Sequence, residues 1–180
     1  GYMDVIALHQ AGFETAVAPL GTALTEAQIE LMWRIAPEPV LCFDGDAAGQ
    51  RAAFRAAERV LPLLKPGHSL GFATLPSGAD PDSLIRDGGR GAIAEVLARA
   101  RPLGGVVWEM ETAGRAADTP ERRAHIRKRL MDRAYGIADR SVQHYYLEDF
   151  QARLDAAYRR QRPRGGGRKA RRAGPSGLRP

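Results

Sequence analysis

The apolar run Val40–Phe43 ends in Asp44-Gly45-Asp46, two carboxylates separated by a single glycine. In extended backbone, side chains two apart share a face about 7 Å from each other, and the glycine lets the chain turn or a phosphate approach. Two carboxylates so placed repel unless a cation lies between them. Mg²⁺ suits the pair, because it takes hard oxygen ligands, usually one or two carboxylates completed by waters and substrate phosphates. Asp80 and Asp82 repeat the arrangement around Pro81, which stiffens it, and Asp4 offers a further carboxylate. The chemistry open to such a set is metal-assisted phosphoryl transfer.

Each of these aspartates also has a plainer reading. Aspartate is favoured just before a helix as N-cap and dipole partner, and Asp4, Asp46 and Asp82 each fit that role taken singly. Recurrence at successive strand ends argues for more than capping. A calcium loop fails: counted from Asp44, the fifth position is Ala48 and the twelfth Arg55, where an oxygen ligand and a glutamate are required. The haloacid-dehalogenase phosphatase pattern, an apolar strand followed by DxDx(T/V), is a closer rival, although Ala48 occupies its Thr/Val position. With one cysteine, four scattered histidines and no CxxC, neither a zinc cluster nor an internal disulfide is supported, and Cys42 reads as a small buried core residue.

The elements that must carry these groups alternate between two periodicities. Asp4 to Gln10 reads as a helix closed by Gly12, and Thr15 to Ala18 as a short strand ended by Pro19. Thr25 and Gln28 have the spacing of a capping box, and Ile29, Met32, Trp33 and Ala36 share one face, so a helix is expected from about Glu26 to Ala36. Val40 to Phe43 is too short for a helix and reads as a buried strand. Beyond Gly49, Ala53, Ala57, Val60, Leu61 and Leu64 recur at three and four, which predicts a crossover helix before the Lys65–Gly67 turn. Leu70 to Leu75 gives another strand, followed by short helices through Ala100. This succession implies an α/β fold with a parallel sheet flanked by helices, whose ligand crevice lies outside the carboxyl ends of the strands. The aspartates stand there.

From Pro102 the strand signals vanish. Thr119 as cap, Pro120 at the first helical position and the stripe Ile126, Leu130, Ala134 and Ile137 predict one helix. A second is expected from Ser141, with Tyr146, Phe150 and Leu154 four apart. Residues 101–158 are thus expected to form a small helical bundle after a domain spanning 1–100. Arg122, Arg123, Arg127, Lys128 and Arg129 could contact nucleic acid, yet a merely solvated face is the preferred reading.

The formal charge of +6 is unevenly spread: residues 159–180 hold nine Lys/Arg and no acid, leaving 18 basic against 21 acidic residues before them. That Gly/Pro/Arg-rich stretch cannot bury enough apolar surface to order itself, and reads as a disordered basic linker able to attract phosphates weakly. No apolar stretch approaches the roughly 18 residues of a membrane span. Nothing reads as a secretory leader, so no membrane is expected and the cytoplasm is the expected compartment.

The segments GYMDVIALHQAGF, APLGTALT, VLCFDGDAAGQRAA and LPSGADPDSLI, in this order and spacing, resemble the Toprim domain of bacterial DNA primases over residues 1–100. The helical remainder is similar in kind to the bundle closing the primase polymerase core. The resemblance implies RNA-primer synthesis on single-stranded DNA from ribonucleoside triphosphates, with Mg²⁺ or Mn²⁺ held by Asp44, Asp46, Asp80, Asp82 and Asp4. It puts Gly21 and Thr22 near the active-site rim. The family motif reads Glu-Gly-Tyr-Met-Asp, whereas this chain starts at the glycine. It further implies that a first strand, a zinc-binding module and a basic template-cradling subdomain precede these residues. The replicative helicase would dock through a C-terminal domain, on a monomeric enzyme. A magnesium phosphatase and a non-catalytic nucleic-acid adaptor are the alternatives.

Overall fold

The computed structural model describes residues 1–19 and 24–159. Helix α1 (Tyr2–Gln10) is followed by α2 (Glu26–Ile35), strand β1 (Val40–Phe43), α3 (Ala47–Val60) with a 3₁₀ turn at Leu61–Leu63, and strand β2 (Gly71–Thr74). Then come α4 (Pro81–Ala98), a two-residue strand β3 (Arg101–Pro102), α5 (Leu103–Thr112), α6 (Pro120–Tyr135) and α7 (Arg140–Arg159). The predicted capping box closes α2: Gln28 N donates to Thr25 Oγ1 at 3.3 Å and Thr25 N to Gln28 Oε1 at 2.8 Å. Thr119 caps α6 through Arg122 N, with Pro120 behind it as expected.

The sheet runs β1-β2-β3. β1 and β2 are parallel, Val40 opposite Gly71 and Phe43 opposite Thr74, and α3 makes the crossover that parallel strands require. β3 is antiparallel to β2 through two residues only. Phe72, with Leu41 and Phe43 beside it, meets the alanine-rich face of α3, where Ala53, Ala56, Ala57 and Val60 are buried. Those small side chains let α5 approach with Leu103, Val106 and Val107 fully enclosed. One contiguous core continues into the bundle through Ile126, Leu130, Ala134, Ile137, Phe150 and Leu154, so the α/β layer and the bundle share a single interior.

Three readings need correction. Thr15 to Ala18 is not a strand: no described strand pairs with it, Ala16 N closes a turn on Phe13 O, and Val17 is exposed. β1 is a strand but not a buried one. It lies at the sheet edge among the described residues, its side chains alternating between exposed and half-buried, because only β2 flanks it. Cys42 is therefore exposed rather than a core residue, its thiol pushed up by the surrounding chain atoms and by the charge of Asp44. The predicted short helices before Ala100 appear as α4 broken at Gly89, whose φ of 63° suits only glycine. The basic stretch 160–180 lies outside the described residues, as do Gly21 and Thr22.

A buried ion cluster fastens the bundle. Glu111 of α5, fully enclosed, accepts hydrogen bonds from Arg129 Nε and from Arg133 Nε, the latter at 2.7 Å. Arg133 reaches on to Glu58 of α3 at 2.7 Å, so a single guanidinium on α6 links α5 to the crossover helix. Burial alone would raise the Glu111 pKa, but the two guanidinium hydrogen bonds outweigh it and hold the carboxyl below its ordinary value.

Candidate active site

The two acid-bearing loops meet because the strands before them are paired in parallel. Leu75 N donates to Phe43 O at 2.9 Å, carrying the β1–β2 ladder past its last strand residue, so Asp44 and Leu75 leave the sheet side by side. Gly45 then presses on the second loop: a Cβ there would lie 2.2 Å from Leu75 O and 2.9 Å from Ser77 N. Gly49, in the first turn of α3, is equally constrained, its Cβ falling 2.0 Å from Asp44 O. Both obstacles are backbone, which cannot swing aside. Gly45→Ala or Gly49→Ala is expected to lower the unfolding free energy, read from urea denaturation, by at least the roughly 1–3 kcal/mol of ordinary overpacking, whereas Gly91→Ala, with open space around it, should change little.

Asp46 caps α3, its Oδ1 accepting from Gly49 N at 2.6 Å. Asp80 caps α4 in the same way, accepting from Ser83 N at 2.7 Å while Asp80 N donates to Ser83 Oγ at 3.0 Å. Those backbone and hydroxyl hydrogen bonds from Ser83 hold the Asp80 carboxyl below its ordinary range. Asp82 faces Arg86 at 3.7 Å, and Asp4 pairs with the Gly1 ammonium on α1, which packs against α4. The capping reading is thus realised for Asp46, while Asp80 rather than Asp82 is the cap of α4. Asp44 differs: it is exposed and has no hydrogen-bond or ion-pair partner among the described residues.

The five aspartates do not gather into one cage. Among the described residues no three or more His, Cys, Asp or Glu side chains stand together as a metal-holding group. What the fold joins is Asp44 and Asp46 on one loop, against the backbone of the loop that leads to Asp80. That donor set still fits Mg²⁺, which is commonly held by one or two carboxylates with waters and substrate phosphates filling the rest. Asp44 contributes a free carboxylate, and Asp46 keeps one oxygen beyond its cap.

The cations that could contact nucleic acid, for which a solvated face was the preferred reading, are all engaged within the bundle. Arg122 pairs with Asp118, Lys128 with Asp132, and Arg127 with Gln151, while Arg123 donates to Ala117 O and lies over the Tyr158 ring. Other polar groups stand beside Asp46 that the sequence did not flag. Gln50, Arg99, Arg101 and Glu109 line a cleft there, drawn from α3, the residue after α4, β3 and α5, with no common motif.

Parallel strands whose carboxyl-end loops carry DxD and DPD acids, each loop leading into a capped helix, define a Toprim-type α/β domain, and the Toprim domain family matches residues 1–73. The DNA primase of Rickettsia felis is 38% identical over 154 residues, which is 86% of this chain and 26% of that protein. The E. coli primase catalytic core superposes with a TM-score of 0.79 at 35% identity, covering 86% of this chain and 49% of that one. A DnaG primase catalytic domain bound to single-stranded DNA gives 0.78 at 34% identity, over 84% and 49%. The chain belongs to the bacterial DnaG-type primase family, of which it carries the Toprim domain and the helical part that follows. It spans about a quarter of the R. felis primase and half of the solved cores. Proteins of this family depend on metal in general, and the Toprim match sets aside the phosphatase alternative.

Proposed function

We propose that this chain supplies the catalytic rim of a primase that makes short RNA primers on single-stranded DNA during replication. The observation that carries the reading is Asp44, unpartnered and exposed at the carboxyl end of a parallel strand, locked by Gly45 against the neighbouring acid-bearing loop. The reaction joins a ribonucleotide 3′-hydroxyl to the α-phosphate of the next nucleoside triphosphate; the new P–O bond forms as the α–β bond breaks and pyrophosphate leaves. Mg²⁺ or Mn²⁺, when bound, brings nucleophile and phosphate together and offsets developing negative charge. Asp44 and Asp46 hold that ion, and Asp80, Asp82 and Asp4 supply negative potential around it.

The capped geometry preorganises the site. Asp46 cannot rotate freely while bonded to Gly49 N, so its second oxygen is presented at a fixed place, and Asp80 is fixed likewise by Ser83. Gly21 and Thr22 belong to the same rim in this reading. Arg122, Arg123, Arg127 and Lys128 add a weak, sequence-neutral attraction for template phosphates, since each already has a partner inside the bundle. The zinc module and the helicase dock implied by the family lie outside these residues, and a monomer acting in the cytoplasm completes the proposal. No helix among the described residues is long and apolar enough to cross a membrane.

Primer synthesis by the intact protein on a single-stranded template is the test. Chelation of divalent cations should abolish it and Mg²⁺ or Mn²⁺ should restore it; synthesis that continues in excess chelator would overturn the reading.

A further inference from the structure

Beside the Asp44–Asp46 loop lies a cleft of about 710 Å³, within the roughly 300–1,000 Å³ typical of ligand sites. Asp46 and Gln50, at the start of α3, line it with Thr74 and the turn after β2, together with the apolar Ala53, Phe72 and Val96. Arg99, beyond the end of α4, and Arg101, from β3, line it too. The cleft exists because β3 pairs with β2 only at Gly71 and Phe72, so the last residues of β2 lack a β3 partner.

Its charges are arranged rather than scattered. Glu109 of α5 pairs with Arg101 and also accepts from Gln50 Nε2 at 3.5 Å, so this carboxylate has two donors and fixes the guanidinium of Arg101 beside the cleft. An arginine fork has five N–H donors, which leaves others for a ligand. Arg99 meets Glu95 at 3.3 Å with both side chains largely exposed, a pair worth little and readily exchanged for a stronger anion. Arg99 and Arg101 balance Asp46 and Glu109 among the lining side chains, and a divalent cation at the rim would offset the charge of Asp44 and Asp46.

We propose that this cleft holds backbone phosphates of the nucleic-acid strand that runs to the Asp44–Asp46 rim, with Arg99 and Arg101 as the contacting cations. Arginine, glutamine and threonine are the side-chain types that make sequence-neutral contacts to phosphate oxygens. A cleft lined by both arginines and a metal-holding carboxylate attracts successive phosphates along one chain. The inference rests on the rim being the metal site. The shared chemistry is a phosphate group, and the triphosphate of a nucleotide is its other possible source.

The experiment uses the intact protein in Mg²⁺ and an oligothymidylate of about 20 nucleotides, with affinity followed by fluorescence anisotropy between roughly 50 and 200 mM salt. Arg99→Ala combined with Arg101→Ala should weaken binding several-fold and flatten the slope of log affinity against log salt by about 1.4, at roughly 0.7 per phosphate contact on a single strand. Arg99→Ala alone, which disturbs no buried contact, should flatten it by about 0.7 and guards against a folding defect from the loss of the Arg101–Glu109 pair. The KM for nucleoside triphosphates should not move. Unchanged affinity and slope overturn the proposal, and a raised KM with unchanged oligonucleotide binding overturns the strand in favour of the triphosphate. Mn²⁺ binding, read by electron paramagnetic resonance, should be intact in both variants, so a failure of the metal reading registers there and a failure of the cleft reading in the salt slope.

Discussion

Asp44→Ala in the intact protein is expected to abolish measurable primer synthesis while leaving the fold in place. Asp44 has no partner among the described residues and is exposed, so its removal leaves no unsatisfied group and opens no cavity. The unfolding free energy from urea denaturation should stay within the roughly ±0.5 kcal/mol usual for surface substitutions. The loss of activity should exceed the roughly 10–100-fold that removal of an outer-shell partner costs a metal site, because a direct ligand is removed. Asp46 gives a less clean experiment. Asp46→Ala loses the Gly49 cap as well, at about 1 kcal/mol, so Asp46→Asn, which keeps a capping oxygen while removing the charge, is the better companion. Synthesis by Asp44→Ala at the wild-type rate would show that the rim is not catalytic.

Glu111→Ala is expected to be the most destabilising single change, by about 3 kcal/mol or more, because it leaves the guanidinium groups of Arg129 and Arg133 without their buried counter-ion. The arginines are partly exposed, at 36% and 30%, which places the effect toward the lower end of the range for broken buried pairs. Chemical denaturation with a far-ultraviolet circular dichroism readout measures it. Glu111→Leu combined with Arg129→Met and Arg133→Met should recover much of the loss, since apolar replacements of a whole buried cluster are often neutral or better. A pH effect follows with a definite sign. The Glu111 carboxyl is held below its ordinary value, so its contribution is complete above about pH 4.3 and disappears as pH falls through the depressed folded value. The Glu111→Ala protein should lose less stability than wild type over that acid interval. Equal losses would show that the cluster does not carry the linkage.

The strongly periodic parts of the fold were legible from residue types. The capping box at Thr25, the Thr119-Pro120 start of α6 and the stripe Ile126, Leu130 and Ala134 are local devices and appear as read, while Ile137 is buried just beyond the end of α6 at Tyr135. Helix α5 was not resolved as an element, because Leu103-Gly104-Gly105-Val106-Val107 combines two helix-breaking glycines with β-branched residues. Burial of Leu103, Val106 and Val107 against α3 overrides that weak propensity. Thr15 to Ala18 failed for the opposite reason: a strand is a pairing, and β propensity cannot supply the neighbour.

At the site, the Asp-Gly-Asp pair was visible because its spacing alone poses an electrostatic problem. Its juxtaposition to residues 75–77 was implied only by parallel order, and the reason both glycines are needed, backbone contact at Gly45 and Gly49, is a tertiary fact. The five aspartates, expected at one rim, do not stand together as one metal-holding group among the described residues. Helix capping occupies Asp46 and Asp80, and a salt bridge engages Asp82, leaving Asp44 as the free donor. Gln50, Arg99, Arg101 and Glu109 had no signature, since they meet only through the packing of α3, α4, β3 and α5.

The most direct measurement of the central claim is backbone cleavage by hydroxyl radicals generated from Fe²⁺ bound in place of Mg²⁺, with the fragments identified by mass spectrometry. Cuts confined to residues 44–46 and 75–80, suppressed by excess Mg²⁺ and absent from Asp44→Ala, are the predicted result. Cleavage elsewhere, or the same cuts in Asp44→Ala, would contradict it.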